Sequence, residues 1–209
     1  MRLRRPLTEG DFDIAAPIGT GEARVRVIGV VENQAPTRAL EARLTVEDNL
    51  VRMDLERDIC QVALVERHRA TGHVTNGFVS GFGYDVPCAL ASTVAHDSHH
   101  MLVVGTSKAD MARAANRLAE VGGGVTLWRE GEELALIELP IVGLMTDSPA
   151  RHVANRAARL MSAMRNCGCK LNNAFMQHSL LALVVIPELR ISDRGIIDVR
   201  RFEKTGLFV

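Results

Sequence analysis

The stretch ALASTVAHDSHHMLVVG, from Ala89 to Gly105, and its continuation TSKADMARAANRLAEVGGG, ending at Gly124, decides the fold class. Two β-prone runs, Ala89–Ala95 and Met101–Val104, flank the pentapeptide His96-Asp97-Ser98-His99-His100. A helix then starts. Ser107 is a good N-cap, and Asp110 three residues later forms a capping-box-like pair with it. Met111, Ala114, Ala115, Leu118 and Val121 recur at helical spacing, and Gly122-Gly123-Gly124 stops the run.

Strands dominate upstream. Ala23–Val31 alternates and then turns fully apolar, as a strand does on leaving an edge for the interior. In Ala39–Val46, Leu40, Ala42, Leu44 and Val46 share one strand face, and Asp48-Asn49 turns the chain into a partner at Leu50–Leu55. Ile59–Val65 is another apolar strand, ending in the charged run Glu66-Arg67-His68-Arg69. Gly77 and Gly81 bracket Phe78-Val79-Ser80, marking a strand whose backbone approaches another element closely.

Downstream, Val125–Trp128 and Glu133–Leu139 form strands joined through Glu130-Gly131-Glu132. A second helix starts near Ser148-Pro149, with proline in its favoured first turn. A third, buried helix is expected over Phe175–Val185, stopped by Pro187. Leu189–Ile191 and Ile196–Val199 then flank the turn Ser192-Asp193-Arg194-Gly195. No GxGxxG or GxxxxGK[ST] loop follows any strand. The expectation is an α+β (mixed α/β) fold, with a largely antiparallel or mixed sheet covered by two or three helices. Residues 1–22 form an opening segment and 23–209 a single domain. A (β/α)₈ barrel typically takes ~250 residues, with about 200 as the floor; 209 residues hold no barrel beside a second domain.

Composition narrows the function classes. With 25 basic and 25 acidic residues, the formal net charge is zero, which argues against a nucleic-acid partner needing a basic surplus. Aromatic residues make up only 4%, too few for a base-stacking platform. The longest aliphatic run, Leu180–Ile186, is far below the ~20 residues of a membrane span. Four cysteines make no disulfide framework at this length, and Cys167-Gly168-Cys169 reads as plain thiols at a helix end. The chain is expected to be soluble, cytoplasmic and reduced.

The pentapeptide is the first candidate site. Imidazoles and carboxylates ligate borderline divalent metals, and a neighbouring carboxylate fixes an imidazole tautomer. In a tight turn His96 and His99 share one side. In an extended segment His96, Ser98 and His100 share a face, with Asp97 and His99 opposite. Ser98 lacks the glycine-flanked elbow of a serine nucleophile. Capping of a sheet edge is the plain structural alternative. Glu66, Arg67, His68 and Arg69, with His73, form a second candidate, because charged residues closing a buried strand often line a cleft. Met145-Thr146-Asp147-Ser148 and the Met and Phe near position 175 are assigned to capping and core, and Glu188 is a weaker site candidate.

Taken in order, several segments resemble the C-terminal domain of bacterial adenine deaminase, in the amidohydrolase superfamily. They include Val65-Glu66-Arg67-His68, Gly77-Phe78-Val79, Ala89 through His99, Val103-Val104-Gly105-Thr106, Gly122-Gly123-Gly124, Leu139 through Met145, and Val185-Ile186-Pro187-Glu188-Leu189. His100 stands where that family usually carries Asn. The resemblance implies hydrolysis of adenine to hypoxanthine and ammonia, with a divalent metal (Mn or Fe) whose ligands lie on the family's barrel and on no residue here. It also implies an amidohydrolase barrel chain as partner, adenine or a related purine as ligand, and a homo-oligomer. His96, Asp97 and His99 would be the catalytic candidates, facing the purine or the domain junction. Glu66, His68, Ser98 and His100 would bind substrate or line that junction. Two other functions are compatible with the residues: a non-catalytic purine-binding or oligomerisation module, and an independent metal hydrolase using the His96–His100 cluster.

Overall fold

The computed structural model describes all 209 residues. Nine strands form one mixed sheet: β1 (Gly21–Gly29), β2 (Arg38–Glu47), β3 (Leu50–Val51), β4 (Ile59–Val65), β5 (Val74–Ser80), β6 (Cys88–Ser92), β7 (Met101–Gly105), β8 (Gly124–Arg129) and β9 (Glu132–Glu138). Their spatial order is β3-β2-β1-β5-β4-β7-β6-β8-β9. All neighbours run antiparallel except β1 and β5, which pair in parallel over Val27–Gly29. The sheet does not close. Three helices cover it, α1 (Lys108–Glu120), α2 (Ala150–Asn166) and α3 (Ala174–Leu180). β10 (Leu189–Ser192), β11 (Gly195–Asp198) and β12 (Glu203–Thr205) make a second, three-stranded sheet. The α+β expectation holds, and β12 is an element the sequence did not announce. No helix is long and apolar enough to cross a membrane.

The central strands are buried on both faces, which is why they read as continuous apolar runs rather than alternating ones. Pleating sends alternate residues to opposite layers. Val62, Leu64, Leu90, Leu102 and Val104 pack with Leu160 and Met164 of α2 and with Leu189, Ile191 and Ile196 of the small sheet. Ala63, Val65, Ala91, Met101 and Val103 pack against Met111, Ala114, Ala115 and Leu118 of α1. The opening segment joins this second layer through Leu7 and Phe12. Gly77 makes the expected close approach: a Cβ there would lie 2.9 Å from Cδ1 of Ile196 in β11.

Four local expectations need correction. Leu50–Leu55 is a strand only at Leu50–Val51, because Asp54 instead pairs across its own turn with Ile59. Ser107 caps α1 by accepting from the Asp110 amide, but the buried Asp110 carboxylate does not return to it. It accepts from the amides of Glu130 and Gly131 at 2.9 and 3.0 Å and thereby holds the β8–β9 turn. Glu130 and Gly131 both have positive φ, as a two-residue hairpin turn of this kind requires. Helix α3 ends at Leu180, well before Pro187. The fully buried Arg190 guanidinium takes the carbonyls of Leu180, Ile186 and Ala35, so the chain after Leu180 satisfies its acceptors without continuing the helix. Finally, Met145 and Met176 are exposed at 57% and 42%, and so are not core.

Candidate functional site

Sheet order brings the two candidate segments together. Strands β4 and β7 are antiparallel neighbours with Val65 opposite Met101, so the loop leaving β4 lies beside the loop entering β7. Strand β6 pairs with β8 at Ser92 and Val125, which places the glycine turn at Gly122–Gly124 next to the same loop. Glu66, His68, His96, His99 and His100 therefore meet at one end of the sheet.

Of the two geometries open for the pentapeptide, the chain adopts the tight turn. The His99 amide donates to the Ala95 carbonyl at 2.7 Å, and His99 has φ of 50°. The rings of His96 and His99 are then 5.3 Å apart and edge-on. His100 goes the other way and packs on His68 at 4.7 Å. Asp97 and Ser98 sit exposed at the apex, and neither side chain bonds to another residue. The Ser98 carbonyl instead accepts from His68 Nε2 at 2.8 Å, which places the His68 proton on Nε2. No serine–histidine–aspartate relay is assembled.

Two buried charged residues shape the loops. Glu66 is 7% exposed, and both carboxylate oxygens are used: one accepts from the amides of His68 and Arg69, the other from the amide and hydroxyl of Thr71. Burial pushes its pKa up, and those hydrogen bonds more than offset this, leaving it at about 2. Glu66 is thus the keystone of its loop, rather than a group free to meet substrate. Arg67 is equally buried. Its Nε donates to the His99 carbonyl at 2.5 Å and its Nη2 to the Val142 carbonyl at 3.1 Å. One guanidinium so ties the histidine turn to the segment after β9. That segment exposes Ile141, Val142 and Met145. Thr93 secures the other side by donating to the Gly143 carbonyl at 2.6 Å.

Burial, reinforced by His96 and Arg67, lowers the pKa of His99; burial, reinforced by His68, lowers that of His100. Both are held towards the neutral form. A cleft of about 580 Å³ opens beside His100, lined by Glu66, His68, Arg69, Thr71, His73, Asp193 and Arg194. Asp193 and Arg194 enter from the β10–β11 turn, and no local pattern pointed to them. Glu188 lies elsewhere, accepting from the Ala39 amide at 2.6 Å and pairing with Arg200. The four cysteines are free and buried, with Cys167 capping the end of α2 as expected.

No three His, Cys, Asp or Glu side chains converge as a metal-ligand set. The histidines divide into two pairs, and the carboxylate of Glu66 is consumed by its loop. An independent metal hydrolase built on His96–His100 lacks its ligands in this arrangement.

A family profile described as the adenine deaminase C-terminal domain matches residues 34–203. The chain belongs to the adenine deaminase C-terminal domain family. It is 68% identical over 209 residues to "Adenine deaminase 3" of Rhizobium meliloti (strain 1021), covering all of this chain and 35% of that protein. It is 66% identical over 209 residues to an "Adenine deaminase" of Mesorhizobium japonicum, again covering all of this chain and 34% of that one. A more distant "Adenine deaminase," from Moorella thermoacetica, is 45% identical over 207 residues, 99% of this chain and 35% of its own length. The chain thus spans about a third of the length of the curated relatives it matches.

Proposed function

We propose that this domain works in the hydrolytic deamination of adenine to hypoxanthine and ammonia, joined to an amidohydrolase barrel that supplies the metal. The observation that carries this reading is the histidine turn itself. It is anchored from beneath by Arg67, presents His96, Asp97 and His99 at the end of the sheet, and is flanked by exposed Ile141, Val142 and Met145. An apolar rim beside a fixed polar turn suits a surface that packs on another protein unit. The relatives' names support adenine as the substrate, and their greater length supports a second unit.

The manganese or iron implied by the family does not fit this chain's own residues, so its chemistry falls to residues outside the chain. The domain's share is positional: the turn borders the purine or the junction, His99 is kept neutral by burial, and the apolar rim excludes water at the contact.

The test mixes or co-expresses this chain with the remaining two thirds of the Rhizobium meliloti relative and measures association and adenine turnover with manganese. Association with turnover that falls on His96→Ala and His99→Ala is expected. Turnover by the 209-residue chain alone would overturn the need for a barrel. Adenine binding without turnover in the mixture would instead favour the non-catalytic purine-binding module, and self-association alone an oligomerisation module.

A further inference from the structure

The cleft between the Glu66–His73 loop and the β10–β11 turn has a composition that selects its own ligand. Its volume, about 580 Å³, lies in the usual range for small-molecule sites, yet none of its eight lining residues is apolar. A ligand that offers no polar groups would leave those side chains unpartnered.

The sign of the charge follows from which groups are free. Glu66 has spent both carboxylate oxygens on four donors of its own loop. His68 has spent Nε2 on the Ser98 carbonyl, and His73 Nε2 lies 3.2 Å from the Thr75 hydroxyl. Arg69 and Arg194 are different. Their main-chain amides donate to Glu66 and Ser192, but neither guanidinium makes an ion pair or a hydrogen bond. Elsewhere in the chain, Arg67 gives Nε and Nη2 to carbonyls, and Arg190 gives all three guanidinium nitrogens to them. Two uncommitted guanidiniums, 125 positions apart in sequence, face one polar cleft from two elements. Planar guanidiniums pair in bidentate fashion with phosphate oxygens, and two of them can hold a tetrahedral dianion better than a flat carboxylate. Asp193 is the one free acid in the lining, placed to accept from hydroxyl groups.

We infer that this cleft binds a small phosphate monoester with a hydroxylated body, its phosphate between Arg69 and Arg194 and its hydroxyls towards Asp193. The site is separate from the purine-facing role of the histidine turn and stands whether or not that role does.

Calorimetric titration of the full chain at low ionic strength tests it, using ribose 5-phosphate, ribose and inorganic phosphate as probes. Saturable binding of ribose 5-phosphate and none of ribose are expected. The double variant Arg69→Gln/Arg194→Gln, at two solvent-facing positions, should weaken phosphate-dependent binding at least about tenfold, the equivalent of 1.4 kcal/mol. Asp193→Asn should strengthen inorganic phosphate binding, a gain that loosened folding would not give. Equal affinity for inorganic phosphate and the monoester would keep the anion site and make its ligand free phosphate. Absence of saturable binding by either phosphate, or binding unchanged in the double variant, would overturn the inference.

Discussion

Arg67 holds His99 by its main chain, not its ring: the guanidinium Nε donates to the His99 carbonyl at 2.5 Å, while the imidazole lies beside His96 with its Nδ1 accepting from the Ala95 amide at 3.3 Å. The positive φ of His99 is kept in place by that bond and by the Ala95 carbonyl. Main-chain anchoring leaves the side chains of His96 and Asp97, and Nε2 of His99, available for contact.

Replacing Arg67 with Met should therefore act on geometry before chemistry. The carbonyls of His99 and Val142 lose their donor in a part-buried setting, and a loss of roughly 1–2 kcal/mol is expected. Urea denaturation measures the stability, and amide exchange at His99 reports whether the turn has loosened; unchanged exchange there would mean the anchor is dispensable.

Glu66 predicts an acid-sensitive loop. Its folded pKa of about 2 lies below the ordinary 4.5, so its contribution is fully present above pH 4.5 and is lost as pH falls towards 2. The contribution is on the order of a few kcal/mol at most. Glu66→Gln should destabilise the chain at pH 7 and flatten its stability profile between pH 4.5 and 2. A profile identical to the parent's in that window would disprove the assignment.

His178 has the opposite character. It is fully buried against the edge of Phe82, and neither ring nitrogen has a partner. Burial drives its pKa down to about 3. The unfolded chain binds the proton more readily, so stability from the neutral ring is present above pH 6.5 and lost on descending towards pH 3. His178→Leu removes two unsatisfied polar atoms and should be neutral or stabilising at pH 7, by up to about 1 kcal/mol, and clearly stabilising at pH 5. Thermal melts at the two pH values decide it; a variant less stable at pH 5 would point to a missed partner.

Gly123 should tolerate nothing larger. Its φ is +122°, and a Cβ there would fall 2.4 Å from the Gly143 Cα and 3.0 Å from the Thr93 hydroxyl. Gly123→Ala is expected to cost several kcal/mol, about the 1–3 of a strained backbone plus the clash, and to displace the segment bearing Val142. Equal stability in a denaturant titration would show that the two glycines do not need their close approach.

The same glycine marks the boundary of what the sequence made legible. Gly122-Gly123-Gly124 was readable as a helix stop, since any C-terminal glycine run signals one. That its backbone also abuts Gly143 depends on β6 lying next to β8, a pairing whose nearest partners, Ser92 and Val125, are 33 positions apart and which no local pattern records. Ile59–Val65 matches the observed strand to the residue, because an apolar run bounded by charge is a one-dimensional signal. The histidine turn was readable as residues but not as a shape, because both a turn and an extended segment satisfy the composition. Arg190 carried no signal at all: an arginine between Leu189 and Ile191 looks like the solvent side of a strand, and its burial comes from carbonyls gathered by tertiary folding. Asp193 and Arg194 were visible only as turn residues, and sheet packing alone carries them to Glu66 and His68.

The single parallel contact, between β1 and β5, has a consequence for the order of assembly. β1, β2 and β3 form a meander of sequential neighbours, and β4 through β9 build the rest of the sheet by antiparallel pairing alone. The two blocks meet through three residue pairs, Val27–Phe78 to Gly29–Ser80, beside which the C-terminal Leu207 carbonyl accepts from the Arg26 amide. The larger block needs only its own antiparallel neighbours, so it can form without the β1–β3 meander, which joins it through that short seam. Native-state hydrogen exchange would then find the meander opening as its own cooperative unit, at lower free energy than β4, β6 and β7.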